Sequence, residues 1–504
     1  MKHERMRIEP YEGLGGWLER VEHIGEIRRV KAEVDPYLEM ATIACLAQRE
    51  VGGPALLFEN VKGHPGQRTL FNPFGTSVNR LALALREVPD KSALDLVKIL
   101  KEKSKIRIPP KAVPAAAAPV NQNIDRGDQV DVTKFPAPHF WPLDGGRYIG
   151  TCDSIISRAP QSGRVNLGTY RQMVKSKNEV GYYASPGKDT KLDREAWWAM
   201  GKPAPVAAVY GLDPLEFLIS ATSYPKTESE YDYWGGVNGA AIEVFESDVT
   251  GLPLPAHAEI IAEGFAYPDD VFHEGPFGEF TGYYGRPGGP APYFRVETLR
   301  YRNDPILTCH LNLMEDWPAN SEFMMAVLRS AALWNNLDAL GVVGIKGVWC
   351  PPEATSMGMN VISIEQKYAG HAAQVMALAA QCTGAAYFSK YIVVVDDDVD
   401  PTNLARVVWA MITRSRPAQS IDILRETWST YLDPSLNPPE IRPWGSKCLI
   451  NACMEFRYIK QFAKRLKLSQ PVYEKVAMRW ADLGFPGPVP AVHSFESSDT
   501  LTGH

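Results

Sequence analysis

No stretch of this chain approaches the ~18 consecutive apolar residues of a membrane-spanning helix. The charged start Met1-Lys2-His3-Glu4-Arg5 is not followed by the apolar run of a secretion signal. A basic excess is missing too: 53 Lys+Arg stand against 59 Asp+Glu, a net charge of −6, the wrong sign for a general nucleic-acid or anionic-membrane binder. Cysteine is scarce, seven in 504 residues with no C-x-x-C pair. That sets aside zinc-finger, iron–sulfur and disulfide-scaffold readings and leaves mostly reduced, buried thiols. The phosphate-loop pattern G-x-x-x-x-G-K-[ST], the G-x-S-x-G elbow and the H-E-x-x-H helix do not occur, and Gly285-Arg-Pro-Gly-Gly-Pro290 carries prolines where a dinucleotide-binding loop would open a helix. What remains is a cytoplasmic globular chain of 45% apolar and 22% charged residues, long enough for two or three domains.

Periodicity divides the chain. Up to about residue 108 helix and strand alternate: helical spacing over Trp17–Ile24 and Leu38–Gln48, short strands at Ala55–Phe58 and Thr69–Phe71, and a helix Ser92–Lys103 with Ser92 as N-cap. Four prolines within residues 108–119 predict an extended connector. From 145 to 312 short β-patterned runs recur (Ser154–Ser157, Leu215–Ala221, Ala240–Phe245, Glu259–Ala262, Tyr293–Leu299, Ile306–His310) with one longer helix at Arg194–Met200, which predicts a barrel or closed sheet with inserted helices. A helix over residues 321–336, capped by Ser321, leads to an α/β region. Its strands are Val342–Trp349, Val361–Glu365 and Tyr391–Val395, and its helices His371–Cys382 and Leu404–Arg414, the latter capped at Asp400-Pro401. A last helix covers Pro471–Asp482, and the Ser/Pro-rich tail reads as mobile.

Two segments carry candidate chemistry. In His273-Glu-Gly-Pro-Phe-Gly-Glu-Phe-Thr-Gly-Tyr283 two carboxylates stand five positions apart, an odd spacing that points them to opposite faces of a straight strand. The Gly-Pro-Phe-Gly between them can bend the chain so that both converge, which would push their pKa values apart and keep one as a general acid. The alternative is a surface turn with two solvated acids. In Asn166-Leu-Gly-Thr-Tyr-Arg171 an arginine fork suits a carboxylate and an amide oxygen lies nearby; the alternative is a polar loop. His139 and His310 read as structural.

Asn166/Arg171 as N-x-x-x-x-R and Glu274/Glu279 as E-G-P-F-G-E resemble the UbiD family of reversible decarboxylases, which use prenylated FMN. Ser223-Tyr-Pro225, Ser229-Glu-Tyr-Asp-Tyr233 and Trp409-Ala-Met-Ile-Thr-Arg414 support the resemblance in order and spacing. It implies an α+β and α/β multidomain fold: an N-terminal α/β region (1–115), a split β-barrel that binds the flavin (116–318), a linker helix (319–337), a C-terminal α/β oligomerisation domain (338–485) and a flexible tail (486–504). It also implies decarboxylation of an aromatic or heteroaromatic acid through a covalent adduct with the flavin, because loss of CO2 from an aromatic ring leaves a carbanion that no side chain can delocalise. Arg171 would orient the substrate carboxylate and pair with Glu274. Glu279, its pKa raised, would deliver the proton.

By the same resemblance Asn166, Thr169, Tyr170, Arg171, Ser223, Tyr224, Glu230 and Lys390 bind the cofactor, and Asn166, Asp189 and Glu230 hold Mn²⁺ or Mg²⁺ at its phosphate, with K⁺ beside Ser223 and Tyr224. Relatives often carry histidine where this chain has Asp189, which makes the set all-oxygen and hard. Pocket walls are expected from Asn312–Met325 and Thr427–Leu432. The first of these lacks the histidine pair of hydroxybenzoate-type relatives, which favours heteroaromatic or polycyclic acids or a larger aromatic ester; Met324 reads as core. Expected partners are the acid and CO2, a UbiX-type flavin prenyltransferase as cofactor supplier, and a second copy of the chain in a homodimer, with a hexamer as the second expectation. The rival readings are a flavin reductase-like FMN enzyme, a non-catalytic assembly subunit that kept the fold, and a metal-dependent hydrolase.

Overall fold

Three residues, Thr169–Arg171, join the last strand of a ten-stranded antiparallel sheet, Val165–Gly168, to the second, Gln172–Ser176. Four Cα–Cα steps span at most about 14 Å, so the sheet must curl until its two ends nearly meet. Tyr148, Ile155, Tyr210, Ile260 and Phe294 fill one face with buried side chains. Ile156, Ala207, Val209 and Ile261 face the opposite way into a second core, as the period-two alternation of strands requires. The curled sheet agrees with the barrel expected from the many short strands.

The computed structural model describes residues 10–49, 52–312, 322–436, 444–492 and 495–496. Two units result, one reaching Cys453 and one beginning at Met454. In the first, a four-stranded sheet (Ile27–Val30, Ala55–Phe58, Arg68–Phe71, Ile306–Cys309) takes its last strand from far along the chain. Beyond the helix Glu322–Ala339, a five-stranded sheet runs in the order Ile345–Trp349, Met359–Ile364, Tyr391–Asp396, Trp444–Ala452, Ile421–Trp428, with helices His371–Gln381 and Leu404–Arg414 packed on it. Ser92 caps the helix Ala93–Lys103 in a reciprocal box with Asp95. The second unit has a helix Gln470–Ala477, shorter than expected, and a two-residue strand pair, Leu468–Ser469 with Phe495–Glu496. All seven cysteines are free, four of them buried, and no helix among the described residues is long and apolar enough to cross a membrane.

Some local expectations are overturned. Leu215–Ala221 is not a strand: Pro214–Ser220 is a helix, started by Pro214 in its first turn and by Asp213, whose carboxylate accepts from the Leu215 N–H at 2.9 Å. All seven residues are buried, so the polar face that marks a helix in sequence is missing. The cap of Leu404–Arg414 is Asn403, accepting from the Arg406 N–H at 3.1 Å, while Asp400 is occupied with Thr402. The proline-rich connector is only partly extended; Lys111–Ala112 pairs in parallel with Glu243–Val244, and tight 3₁₀ turns follow. Ser321 lies outside the described residues.

A helix that periodicity did not reveal, Glu230–Asn238, runs from the Ser229 cap to Gly239 at φ 80°. Its Gly235 and Gly236 lie against the carbonyls of Ile108 and Ile106, where a Cβ would come to 2.2 and 2.1 Å. Glycine is the only residue that fits there.

Candidate active site

Glu274 ends the strand Val271–Glu274, which pairs with Gly289–Tyr301. Past it the chain leaves extended geometry at Gly275 (φ 80°) and a cis Gly275–Pro276 bond. Asp144 fastens the loop that follows: its Oδ1 accepts from the Gly278 N–H and its Oδ2 from the Trp141 N–H, both at 3.0 Å. The Gly145 N–H donates to the Pro276 carbonyl at 2.8 Å, and the Asn312 amide donates to the Gly278 carbonyl at 2.6 Å. A Cβ on Gly145 would stand 2.1 Å from the Gly275 oxygen, so the approach requires glycine.

Folded this way, the loop returns Glu279 to the partner of Glu274. Arg171, on the sheet's seam, donates from Nε to Glu274 Oε1 at 3.0 Å and from Nη2 to Oε2 at 3.1 Å, and its Nη1 donates to Glu279 Oε1. Tyr148 donates its hydroxyl to Glu274 Oε1 at 3.0 Å, and Arg286 reaches Oε2 at 3.1 Å. The two carboxylates therefore converge. Burial pushes the Glu274 carboxyl up, but Arg171, Tyr148 and Arg286 together hold it below the ordinary carboxylate range. Asp144, whose partners are neutral N–H groups, is pushed by burial up to about 6. Aromatic rings wall the cluster: Arg171 lies 5.3 Å from the Tyr183 ring centre and 5.7 Å from that of Phe277, and Phe280 meets Phe388 edge-on at 5.5 Å.

A second cluster lies five residues upstream on the same segment. The Oδ1 of Asn166, the Oδ2 of Asp189 and the Oε1 of Glu230 stand 3.2, 3.2 and 3.3 Å from one atom, Nη2 of Arg164. Asp189 and Glu230 each open a helix, Asp189–Ala199 and Glu230–Asn238, where the helix dipole favours a carboxylate. Glu230 Oε2 also accepts from the Leu167 N–H at 3.0 Å. Burial nevertheless lifts its carboxyl to about 7 against the pull of Arg164. Lys226 pairs with the other oxygen of Asp189 at 3.3 Å, and the Lys188 ammonium lies 5.8 Å from the Tyr387 ring centre. Three oxygens from three elements thus converge on a single cation, which is the donor chemistry a hard divalent ion takes. Arg164 and Lys226 beside them are the kind of donors a phosphate takes.

The remaining expected residues are placed as follows. Thr169 donates its hydroxyl to the Asp153 carbonyl at 2.9 Å, and Tyr170 packs over Gly168. Ser223 is exposed on the loop between helices Pro214–Ser220 and Glu230–Asn238, and Tyr224 packs its ring on Tyr233 at 3.8 Å. Lys390 pairs with Asp433 at 2.8 Å and donates to Ser435 at 3.0 Å. Met324 is core. Residues 313–321, most of one expected pocket wall, lie outside the described residues. The other expected wall packs on the residue before Arg286: a Cβ on Gly285 would meet the Leu432 backbone at 2.7 Å.

Sequence reasoning missed Asp144, Tyr148, Arg164 and Arg286. Of these only Arg164 had a signal, two positions before Asn166 and so on the same face of an extended chain.

Comparison with known proteins agrees over most of the length. The central domain of 3-octaprenyl-4-hydroxybenzoate carboxy-lyase, described as Rift-related, matches residues 111–313; that enzyme's C-terminal domain matches 322–452 and its N-terminal domain 18–100. Among solved structures, vanillic acid decarboxylase of Sedimentibacter hydroxybenzoicus in its closed form is 28% identical with a TM-score of 0.83, over 94% of this chain and 99% of that one. The UbiD-class enzyme HmfF of Pelotomaculum thermopropionicum, in complex with FMN, is 26% identical with a TM-score of 0.81, over 93% and 99%. An evolved dimeric form of HmfF, in complex with prFMN, is 25% identical with a TM-score of 0.79, over 94% and 100%. With all three of its domains matched in order, the chain belongs to the UbiD family of carboxy-lyases.

Proposed function

We propose that this chain catalyses the reversible, non-oxidative decarboxylation of an aromatic or heteroaromatic carboxylic acid with prenylated FMN, and that Glu279 moves the proton. The observation that carries the proposal is the three-armed grip of Arg171, two arms on Glu274 and one on Glu279. When bound, the flavin supplies the electron sink that the ring carbon needs once CO2 departs.

The chain's own residues do the rest. Glu274, kept ionised by Arg171, Tyr148 and Arg286, fixes the guanidinium, whose outer arm, which here holds Glu279, passes to the substrate carboxylate and leaves Glu279 to carry the proton. As the carbon–carboxylate bond breaks and CO2 leaves, a proton must reach the same ring carbon, and Glu279 is the acid on that side of Arg171. In carboxylation the same carboxylate takes the ring proton off. Phe277, Phe280 and Phe388 keep the surroundings apolar, which strengthens the charge interactions inside.

Asn166, Asp189 and Glu230 would hold Mn²⁺ or Mg²⁺ at the flavin phosphate, with K⁺ beside Ser223 and Tyr224; an all-oxygen set disfavours softer metals. A UbiX-type prenyltransferase supplies the cofactor, and a homodimer is the working assembly. The substrate is a heteroaromatic or polycyclic acid. The test is expression with and without the prenyltransferase, followed by a screen of such acids for CO2 release. Turnover only in the co-expressed preparation is expected. Equal turnover from both, or an ordinary flavin spectrum with reductase activity, overturns the proposal.

A further inference from the structure

Arg164 holds the three oxygens that the metal reading above assigns to an ion. One guanidinium nitrogen lies 3.2–3.3 Å from Asn166 Oδ1, Asp189 Oδ2 and Glu230 Oε1, while Nε donates to the Glu228 carbonyl at 2.8 Å. The side chain is only 8% exposed, and Glu230 is 2% exposed. An arginine is always charged, so Asp189 and Glu230 are neutralised by Arg164 together with Lys226.

A divalent ion cannot be indifferent to that arrangement. Touching the same three oxygens at the roughly 2.1 Å usual for a small hard ion, it would stand within about 5.4 Å of Nη2 wherever it sat, by addition of the two bond lengths. Two cations that close in a buried, poorly screened site repel strongly. We infer that Arg164 is an internal counter-cation of the metal site: it spaces and neutralises the three oxygens while no ion is bound, and a divalent ion enters only by displacing it. The inference rests on the metal reading of Asn166, Asp189 and Glu230. It predicts that the flavin-free chain binds metal weakly, because every ion must outcompete a tethered guanidinium.

The test is Mn²⁺ titration of the chelator-stripped, flavin-free protein, with free Mn²⁺ followed by electron paramagnetic resonance, for wild type, Arg164→Met, Glu230→Gln and the double variant. Arg164→Met is expected to bind at least tenfold more tightly than wild type, and Glu230→Gln to abolish binding in either background. If Arg164→Met binds no more tightly while Glu230→Gln still abolishes binding, the metal site stands and the counter-cation is refuted. If neither wild type nor Arg164→Met binds Mn²⁺, the metal reading falls and this inference with it. Should Arg164→Met not fold, wild type decides: on adding Mn²⁺, dicarbonyl labelling at Arg164, read by peptide mass spectrometry, must rise. Unchanged or reduced labelling refutes displacement.

Discussion

Arg171 and Glu274, 103 positions apart in sequence, meet in a two-point grip, Nε to Oε1 at 3.0 Å and Nη2 to Oε2 at 3.1 Å. Both groups are nearly excluded from water, at 11% and 1% side-chain exposure. Neither would tolerate burial alone, since an unpaired buried charge is strongly destabilising. The grip also leaves Nη1 turned to Glu279.

Arg171→Lys keeps the charge and loses the planar fork, so one ammonium must serve two carboxylates. We expect kcat/KM to fall by about 10²–10³-fold and the protein to lose about 1–3 kcal/mol of stability as hydrogen bonds to Glu274 go unmade. Steady-state kinetics and thermal unfolding check both.

Tyr148→Phe removes one hydrogen bond to Glu274 and nothing else in the grip. The folded pKa of Glu274 lies below its ordinary value, so its ionised form persists down through the ordinary carboxylate range and is lost only as pH falls through the lower, folded value. Removing the Tyr148 donor raises that value, and the acid limb of the kcat/KM profile should move to higher pH. An unmoved acid limb would mean that Tyr148 does not tune Glu274.

Asp144 has the opposite sign. Its folded pKa of about 6 lies above the unfolded value of 3.8, so its contribution to stability is fully present at low pH and is lost as pH rises through the folded value. Asp144→Asn cannot ionise. Its stability relative to wild type should therefore rise by about 2–3 kcal/mol between pH 4 and pH 7, whatever constant penalty comes from placing an amide N–H against a backbone donor. Urea midpoints at the two pH values measure it, and a difference independent of pH contradicts the assignment.

Much of the fold could be read from sequence where one face of an element is solvated. The cap at Ser92 is such a local signal, and the half-solvated helix it opens, Ala93–Lys103, formed as expected. The fully buried helix Pro214–Ser220 erased its own periodicity. Glu230–Asn238 hid behind aromatic residues and two glycines kept for close packing. In the candidate site, Arg171, Glu274 and Glu279 were legible as motifs, whereas Asp144, Tyr148, Arg164 and Arg286, which set their geometry and charge, were not. Asp144 and Tyr148 act on Gly278 and Glu274 across more than a hundred positions, and only the curled sheet brings those pairs together. Lys390 looked available in sequence because Asp433, its ion-pair partner, is 43 positions away.

The most direct test of the central claim is the fate of the ring proton in D2O. Wild-type holoenzyme, incubated with the decarboxylated product, is expected to exchange the hydrogen at the carbon that bore the carboxylate. Glu279→Gln, assembled with the same flavin content, is expected to exchange none above background. Exchange by Glu279→Gln at a rate close to wild type would remove Glu279 from the proton's path and contradict the account.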